Sequence, residues 1–198
     1  MQTDLHIREA APADIPALLQ LYAPYVRHTA VTFEYEVPTQ AEFLARMEAV
    51  QRTYPYLVAE QSGRIVGYAY ASPFVGRAAY DWSVELSIYV DEGLQHTGIG
   101  GSLYWALEAC LSAMGIQNLN ACIGYPETED AYLTTNSADF HRHMGYRLVG
   151  RFHKCGFKFG RWYDMIWMEK WIGNHPGLPR PVLPFSEVRA AILTERRE

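Results

Sequence analysis

The sequence predicts an α/β fold, a mixed central sheet with helices on both faces. Three observations predict it. Apolar patterns of period two and of period near 3.6 follow one another in the order β-α-α-β-β-β-α-β-α-β-β. One alternating strand (Val84, Leu86, Ile88, Val90) runs into the glycine-rich turn Gln95-His96-Thr97-Gly98-Ile99-Gly100-Gly101 and then into a helix pattern carrying Leu103, Leu107, Leu111 and Met114. Hydrophobic residues make up 49% of the 198, enough for the core of one domain.

Residues 4–9 alternate as a first strand. Pro12 suits a first helical position, where its missing N–H would be unpaired in any case. Ile15, Leu18, Leu19, Tyr22 and Val26 mark one face of the helix that follows. Thr39 and Glu42 read as a capping box before a second helix holding Phe43, Leu44 and Met47. Strands at 56–60 and 64–72 form a hairpin across Gln61-Ser62-Gly63. The strand at 84–90, the helix at 99–114 and a strand at 118–124 come next. A polar surface loop is expected at 125–135, a short helix at 137–144, and strands at 146–152 and 162–170. The expected domain is 1–171, and 172–198 is an extension. There Pro176, Pro179, Pro181 and Pro184 keep the chain extended before a short helix over 186–197. The extension is expected to pack on the domain or on a partner subunit.

Charge and composition exclude several functions. A net charge of −5 argues against a general nucleic-acid binder. With no apolar run of about 18 residues, no membrane span is expected. The start has no basic region followed by an apolar stretch, so a signal peptide is not expected. Cys110, Cys122 and Cys155 are an odd number without metal-ligand spacing. They read as buried free thiols in a reducing cytoplasm, and no metal is expected.

Strand, glycine-rich turn and helix start together favour a phosphate group. Backbone N–H groups point outward, and the helix dipole adds positive potential. A Walker loop would need a lysine where Gly101 stands. A dinucleotide fingerprint would need a glycine where Leu103 stands. The pattern Gln95-x-x-Gly98-x-Gly100 resembles instead the pyrophosphate loop of acetyl-CoA-dependent N-acetyltransferases. A turn with no ligand is the remaining reading.

Four further segments carry a closer resemblance. Thr29-Ala-Val-Thr-Phe33-Glu34 precedes the loop, as does the run Arg77 to Val90 with Tyr80, Asp81, Trp82 and Glu85. Asn136-Ser137 to Gly145-Tyr146 with His141, and Gly156 to Asp164, follow it. In this order they closely resemble the phosphinothricin N-acetyltransferase branch of the GNAT superfamily over about residues 5–171. The 125–135 loop is longer than the resemblance leads one to expect, and the tail beyond 171 is extra. The resemblance implies a mostly antiparallel mixed sheet and a homodimer.

Acetyl transfer to an amine sets the chemistry. A free alkylamine has a pKa around 10 and must lose a proton. Glu85 lies on the strand face opposite Val84, Leu86 and Ile88. A lone carboxylate in an apolar strand is suited to take that proton, and the resemblance gives it the same role. The alternative is a structural carboxylate paired with Arg77. His141 can protonate the leaving thiolate, or it only orders substrate or cofactor. The resemblance implies that Ile88, Tyr89 and Val90 meet the pantetheine arm. It implies that Gln95, His96, Thr97, Gly98, Ile99, Gly100, Gly101 and Ser102 hold the pyrophosphate of acetyl-CoA. Asn136 is expected to bond the coenzyme, to cap the next helix, or both. Phe33, Arg77 and Tyr80 are the expected acceptor residues, Arg77 for a carboxylate or phosphinate. Lys158 and Trp162 line the site from a neighbouring subunit or only shape a hairpin.

The expected function is therefore acetylation of a small amino-acid-like amine such as phosphinothricin, methionine sulfone or methionine sulfoximine. Two alternatives stand beside it. One is an acetyltransferase for a polyamine, an aminoglycoside or a protein N-terminus. The other is a non-catalytic acetyl-CoA sensor.

Overall fold

The structure, a computed structural model, describes residues 5–193, so Asp4 and the last residues of the expected terminal helix lie outside it. Seven strands form one sheet: β1 (Leu5–Glu9), β2 (Tyr56–Gln61), β3 (Arg64–Pro73), β4 (Ser83–Val90), β5 (Asn118–Tyr125), β6 (Arg147–Lys158) and β7 (Arg161–Trp171). Their order across the sheet is β1-β2-β3-β4-β5-β7-β6. Neighbours are antiparallel except β4 and β5, which are parallel. The β2–β3 turn has positive φ at both Ser62 (52°) and Gly63 (74°), the backbone that a two-residue hairpin needs.

Five helices flank the sheet: α1 (Ile15–His28), α2 (Gln40–Gln51), α3 (Ile99–Met114), α4 (Asn136–His143) and α5 (Phe185–Leu193). Helix α1 follows a 3-10 turn at Pro12–Asp14, in which Pro12 leads as expected. Of its predicted face, Ile15, Leu18, Tyr22 and Val26 are buried and Leu19 is half-buried. The capping box of α2 forms: Thr39 Oγ1 accepts from the Glu42 N–H at 3.2 Å and Glu42 Oε2 accepts from the Thr39 N–H at 2.8 Å. The two faces of the sheet carry separate cores. On one, Val84, Leu86, Leu103, Leu107, Leu111 and Met114 pack between β4 and α3. On the other, Tyr22, Phe43, Met47, Tyr56 and Tyr68 pack under α1 and α2.

Two boundaries differ from the expectation. Strand β6 continues to Lys158 rather than stopping at 152. Its pairing with β7 slips between Phe152 and Gly156. The buried Asp164 carboxylate holds that slip, accepting from the Lys154 N–H at 2.7 Å and from Arg151 Nε at 2.5 Å. The bulge thus gains polar partners and pairing resumes beyond it. The other change is at the start of α4. Thr135, not Asn136, is its N-cap residue, and Asn136 is the first, exposed residue of the helix.

The segment 172–184 holds no helix or strand and lies along the domain. Arg180 donates to the Ser112 and Ala113 carbonyls at the end of α3, and Trp82 Nε1 donates to the Arg180 carbonyl at 2.8 Å. Phe185, 2% exposed, belongs to the α3-side core.

Candidate active site

The parallel strands β4 and β5 pair only over Ser83–Asn118, Val84–Leu119 and Glu85–Asn120. Beyond that they part, and a wedge opens between Leu86 to Val90 and Ala121 to Tyr125. The Asn120 side chain closes its root, donating to the Val84 carbonyl at 3.1 Å. Backbone direction alternates along a strand. The Trp82 carbonyl bonds toward β5 and the Asp91 N–H toward β3. The even-numbered residues of β4 therefore aim their N–H and C=O groups at β5, which leaves those of Ile88 and Val90 facing the wedge. Tyr25 donates its hydroxyl to the Val90 carbonyl. Tyr89 lines the cavity, but its ring stands 5.0 Å from that of Tyr22 in the tyrosine cluster on the α1 side.

At the far end of β4 the chain turns into α3. Gly98 has φ 91°, a conformation that favours glycine, and is the N-cap residue of α3. The first intrahelical bond runs from the Ser102 N–H to the Gly98 carbonyl, so the N–H groups of Ile99, Gly100 and Gly101 precede it. Ile99 is buried in the core, 3% exposed. A Cβ on Gly100 would lie 3.1 Å from the Phe140 ring, so this glycine serves the packing of α4 on α3. Gln95, His96, Thr97 and Gly98 are exposed. Gln95 Nε2 lies 3.5 Å from the Tyr25 hydroxyl, and Thr97 Oγ1 donates to the Leu94 carbonyl at 2.6 Å. The arrangement fits a coenzyme: the Ile88 backbone groups and the Val90 N–H along the wedge for a pantetheine arm, the Val90 carbonyl being taken by Tyr25, and a helix start for a pyrophosphate.

Glu85 stands at the wedge root on the α1/α2 face. Directly across on β3 lies Ser72, and the next pair on this face is Tyr70 and Ser87. Glu85 is half-buried, and burial pushes its carboxyl above the usual carboxylate range. The alternative pairing with Arg77 does not occur. Arg77 is exposed, in the loop after β3, and among the described residues Glu85 forms no ion pair.

His141 lines the wedge but is 3% exposed and fully engaged. Its Nδ1 is 2.7 Å from the Ser137 carbonyl, which can only accept, so Nδ1 carries the proton. Nε2 then accepts from the Tyr104 hydroxyl at 2.9 Å. Burial lowers the His141 pKa to about 4, so the ring is neutral at physiological pH. In this arrangement His141 has no free proton for a thiolate. Its geometry fits the ordering role, with Tyr104 as the partner that fixes its tautomer. The sequence offered one signal for Tyr104, a hydroxyl on the apolar face of α3 beside Leu103 and Leu107.

The expected acceptor residues rest on different supports, and no contact joins Phe33 to Tyr80 or Arg77 among the described residues. Phe33 packs over β5 and β6: a Cβ on Gly156 would lie 2.5 Å from its ring, and one on Gly124 3.7 Å. Lys158, 2% exposed, donates to the Thr32 carbonyl at 2.7 Å and so pins the Phe33 segment to β6. The 125–135 loop supports the same segment, since the Ala30 N–H donates to the Tyr132 carbonyl at 2.9 Å. Asp130 organises that loop, accepting from the Tyr132 and Leu133 N–H groups and from the Tyr163 hydroxyl. Tyr80 is 42% exposed and meets Phe74 edge-on. Trp162, 60% exposed, rests on Phe157.

Gly156→Ala is expected to displace the Phe33 ring and to raise the acceptor KM roughly tenfold, about 1.4 kcal/mol. The acetyl-CoA KM should stay within about twofold, since the wedge is untouched. Steady-state kinetics with each substrate varied in turn checks this; equal changes in both values would refute the link to Phe33.

A sequence profile described as an acetyltransferase (GNAT) domain matches residues 7–167. The chain belongs to the GNAT acetyltransferase family. Within it, the chain is 35% identical over 185 residues to a phosphinothricin N-acetyltransferase of Streptomyces viridochromogenes, covering 93% of this chain and 96% of that protein. It is 31% identical over 169 residues to an L-methionine sulfoximine/L-methionine sulfone acetyltransferase of Pseudomonas aeruginosa, covering 82% of this chain and 92% of that protein. A crystal structure of a GNAT phosphinothricin acetyltransferase from Sinorhizobium meliloti, in complex with acetyl-CoA, superposes with a TM-score of 0.81 at 32% identity, covering 90% of this chain and 95% of that one. The split parallel pair and the seven-stranded mixed sheet are thus the GNAT fold.

Proposed function

We propose that this GNAT enzyme transfers the acetyl group of acetyl-CoA to the amine of a small amino-acid-like acceptor, of the phosphinothricin, methionine sulfone or methionine sulfoximine kind. The observation that carries the proposal is the wedge itself, with a half-buried carboxylate at its root and three free N–H groups at its far end. The thioester supplies the acetyl group; this chain's residues do the rest. Ile88 and Val90 present backbone groups to the pantetheine arm, and Ile99, Gly100 and Gly101 present theirs to the pyrophosphate. Glu85 takes the acceptor's ammonium proton, directly or through one water, and its raised pKa suits it to hold that proton. His141, held by Tyr104 and Ser137, orders the wall of the wedge. Phe33 covers the acceptor from one side.

We place the enzyme in the cytoplasm as a homodimer. Cys122 and Cys155, exposed rather than buried as expected, are free thiols among the described residues, which suits a reducing compartment. The edge strand β6 exposes Leu148 (62%), Val149 (59%) and Phe152 (56%), a row that isolated edges rarely leave uncovered. Light scattering that returns the monomer mass would refute the dimer.

Acetyl-CoA incubated with the enzyme and a panel of amines tests the activity through release of free thiol. Thiol release with amino acids and their sulfone, sulfoximine or phosphinate analogues is expected. Release only with polyamines, aminoglycosides or peptide N-termini would move the acceptor class, and none with any amine would leave a coenzyme-binding protein.

A further inference from the structure

Strands β4 and β5 lie between β3 and β7 in the sheet. Neighbouring strands are about 4.8 Å apart, so the β3 and β7 backbones stand roughly 14 Å apart. Yet Phe74, just past the end of β3, and Trp167 of β7 meet edge to face, with ring centroids 5.4 Å apart at 88°. Their contact crosses the sheet on one particular face. Ile166 and Met168 belong to the α3-side core, so Trp167 points to the opposite face, the one that carries Glu85. The level is also fixed. Trp167 pairs with Cys122, two residues beyond the Asn120 that pairs with Glu85. Tyr80 continues the row, 6.0 Å from Phe74 at 75°. Three rings therefore run from the exposed loop after β3 to a point beside the catalytic carboxylate. None of them belongs to the hydrophobic cores, and all three keep exposed surface.

We propose that Trp167, held in place by Phe74 and Tyr80, is a specificity-determining residue of the acceptor site: its ring is the surface on which the ammonium end and first methylenes of the acceptor lie before Glu85 takes the proton. The proposal rests on the acetyl-transfer reading above. An indole ring attracts an ammonium through its quadrupole and also covers apolar carbon, so it suits a substrate that carries both. The three rings offer a charged side chain no ionic partner. The class of acceptor that fits is an α-amino acid whose side chain is apolar next to the amine and carries any polar or anionic group, such as a sulfone or phosphinate, at its far end. The same wall keeps water from one side of Glu85, in line with the upward push that burial gives its carboxyl.

Trp167→Ala and Trp167→Phe in the full chain test this. Trp167→Ala is expected to raise the acceptor KM roughly tenfold (~1.4 kcal/mol) and to leave the acetyl-CoA KM within about twofold. Trp167→Phe keeps an aromatic face and should recover most of the loss. An unchanged acceptor KM, or equal changes in both KM values, overturns the proposal. Binding separates this question from turnover. Acceptor titrated into the wild type should change tryptophan fluorescence saturably, and Trp167→Phe should lose most of that change, whether or not thiol is released. A change that survives in Trp167→Phe, or a wild type that shows none with any amino acid of the panel, overturns it. Melting curves that match the wild type exclude misfolding of Trp167→Phe.

Discussion

Glu85→Gln is expected to lower kcat/KM for the acceptor by roughly 10²- to 10⁴-fold, the usual worth of a positioned general base. Glutamine keeps the shape and cannot take a proton. The pH profile carries the sharper test. Burial raises the Glu85 pKa, so its neutral form persists to higher pH than that of an ordinary carboxylate. Only the ionised form can act as base, so the rate should climb as pH rises through that raised value, and Glu85→Gln should remove the climb. Other groups do not supply such a limb. His141, lowered to about 4, stays neutral well below the usual histidine range. Tyr70, Tyr104 and Cys122 lie within the field of Glu85, and burial raises all three, Cys122 to about 12, so they keep their protons near neutrality. Stability follows the opposite sign from activity. Between the unfolded and folded pKa values of Glu85 the folded state binds more protons, so stability falls as pH rises through this window. Glu85→Gln should flatten that slope, which thermal melts across acid pH would show. A variant with wild-type rate and an unchanged profile would remove the base assignment.

The parts of the site that were legible in the sequence are local. The period-two pattern of Val84, Leu86 and Ile88 places Glu85 on the opposite face, and the register with β3 confirms that face. Gly98 needs its left-handed backbone within the same turn that names it. The capping box at Thr39 and Glu42 is four residues long. What was not legible depends on pairs far apart in the chain. The last part of β6 exists because Asp164 reaches back to Lys154. His141 reads as a free acid until Tyr104, on another helix, is found on its Nε2. Phe74 and Trp167 look like ordinary strand aromatics, because nothing local says that they meet across two intervening strands. Gly156 looks like a turn residue, yet what it accommodates is the ring of Phe33.

Removal of 172–198 is expected to destabilise the fold rather than trim an appendage, and Phe185→Ala isolates the largest part of that effect. The α3-side core holds Phe185 together with Leu107, Leu111 and Met114. Truncating a buried phenylalanine costs about 3–5 kcal/mol. For a protein of this size that is a fall in Tm of roughly 6–20 °C. The segment before it contributes through polar groups. A helix C-terminus leaves carbonyls without intrahelical partners. Here Arg180 bonds those of Ser112 and Ala113, and the Leu183 N–H bonds that of Met114 at 2.9 Å. The Phe185 N–H bonds the Thr53 carbonyl at 2.8 Å, so the strap spans from α3 to the chain just after α2. Gly115, at φ 101°, lets the Arg180 side chain pass: a Cβ there would lie 3.1 Å from Nε. Because the anion site proposed above lies at the other end of α3, loosening its C-terminal half should also weaken acetyl-CoA binding. Melting temperatures of the full chain, Phe185→Ala and a 1–171 truncation, each with and without acetyl-CoA, check both effects. A truncated chain that melts with the full-length protein would show that the core closes without Phe185.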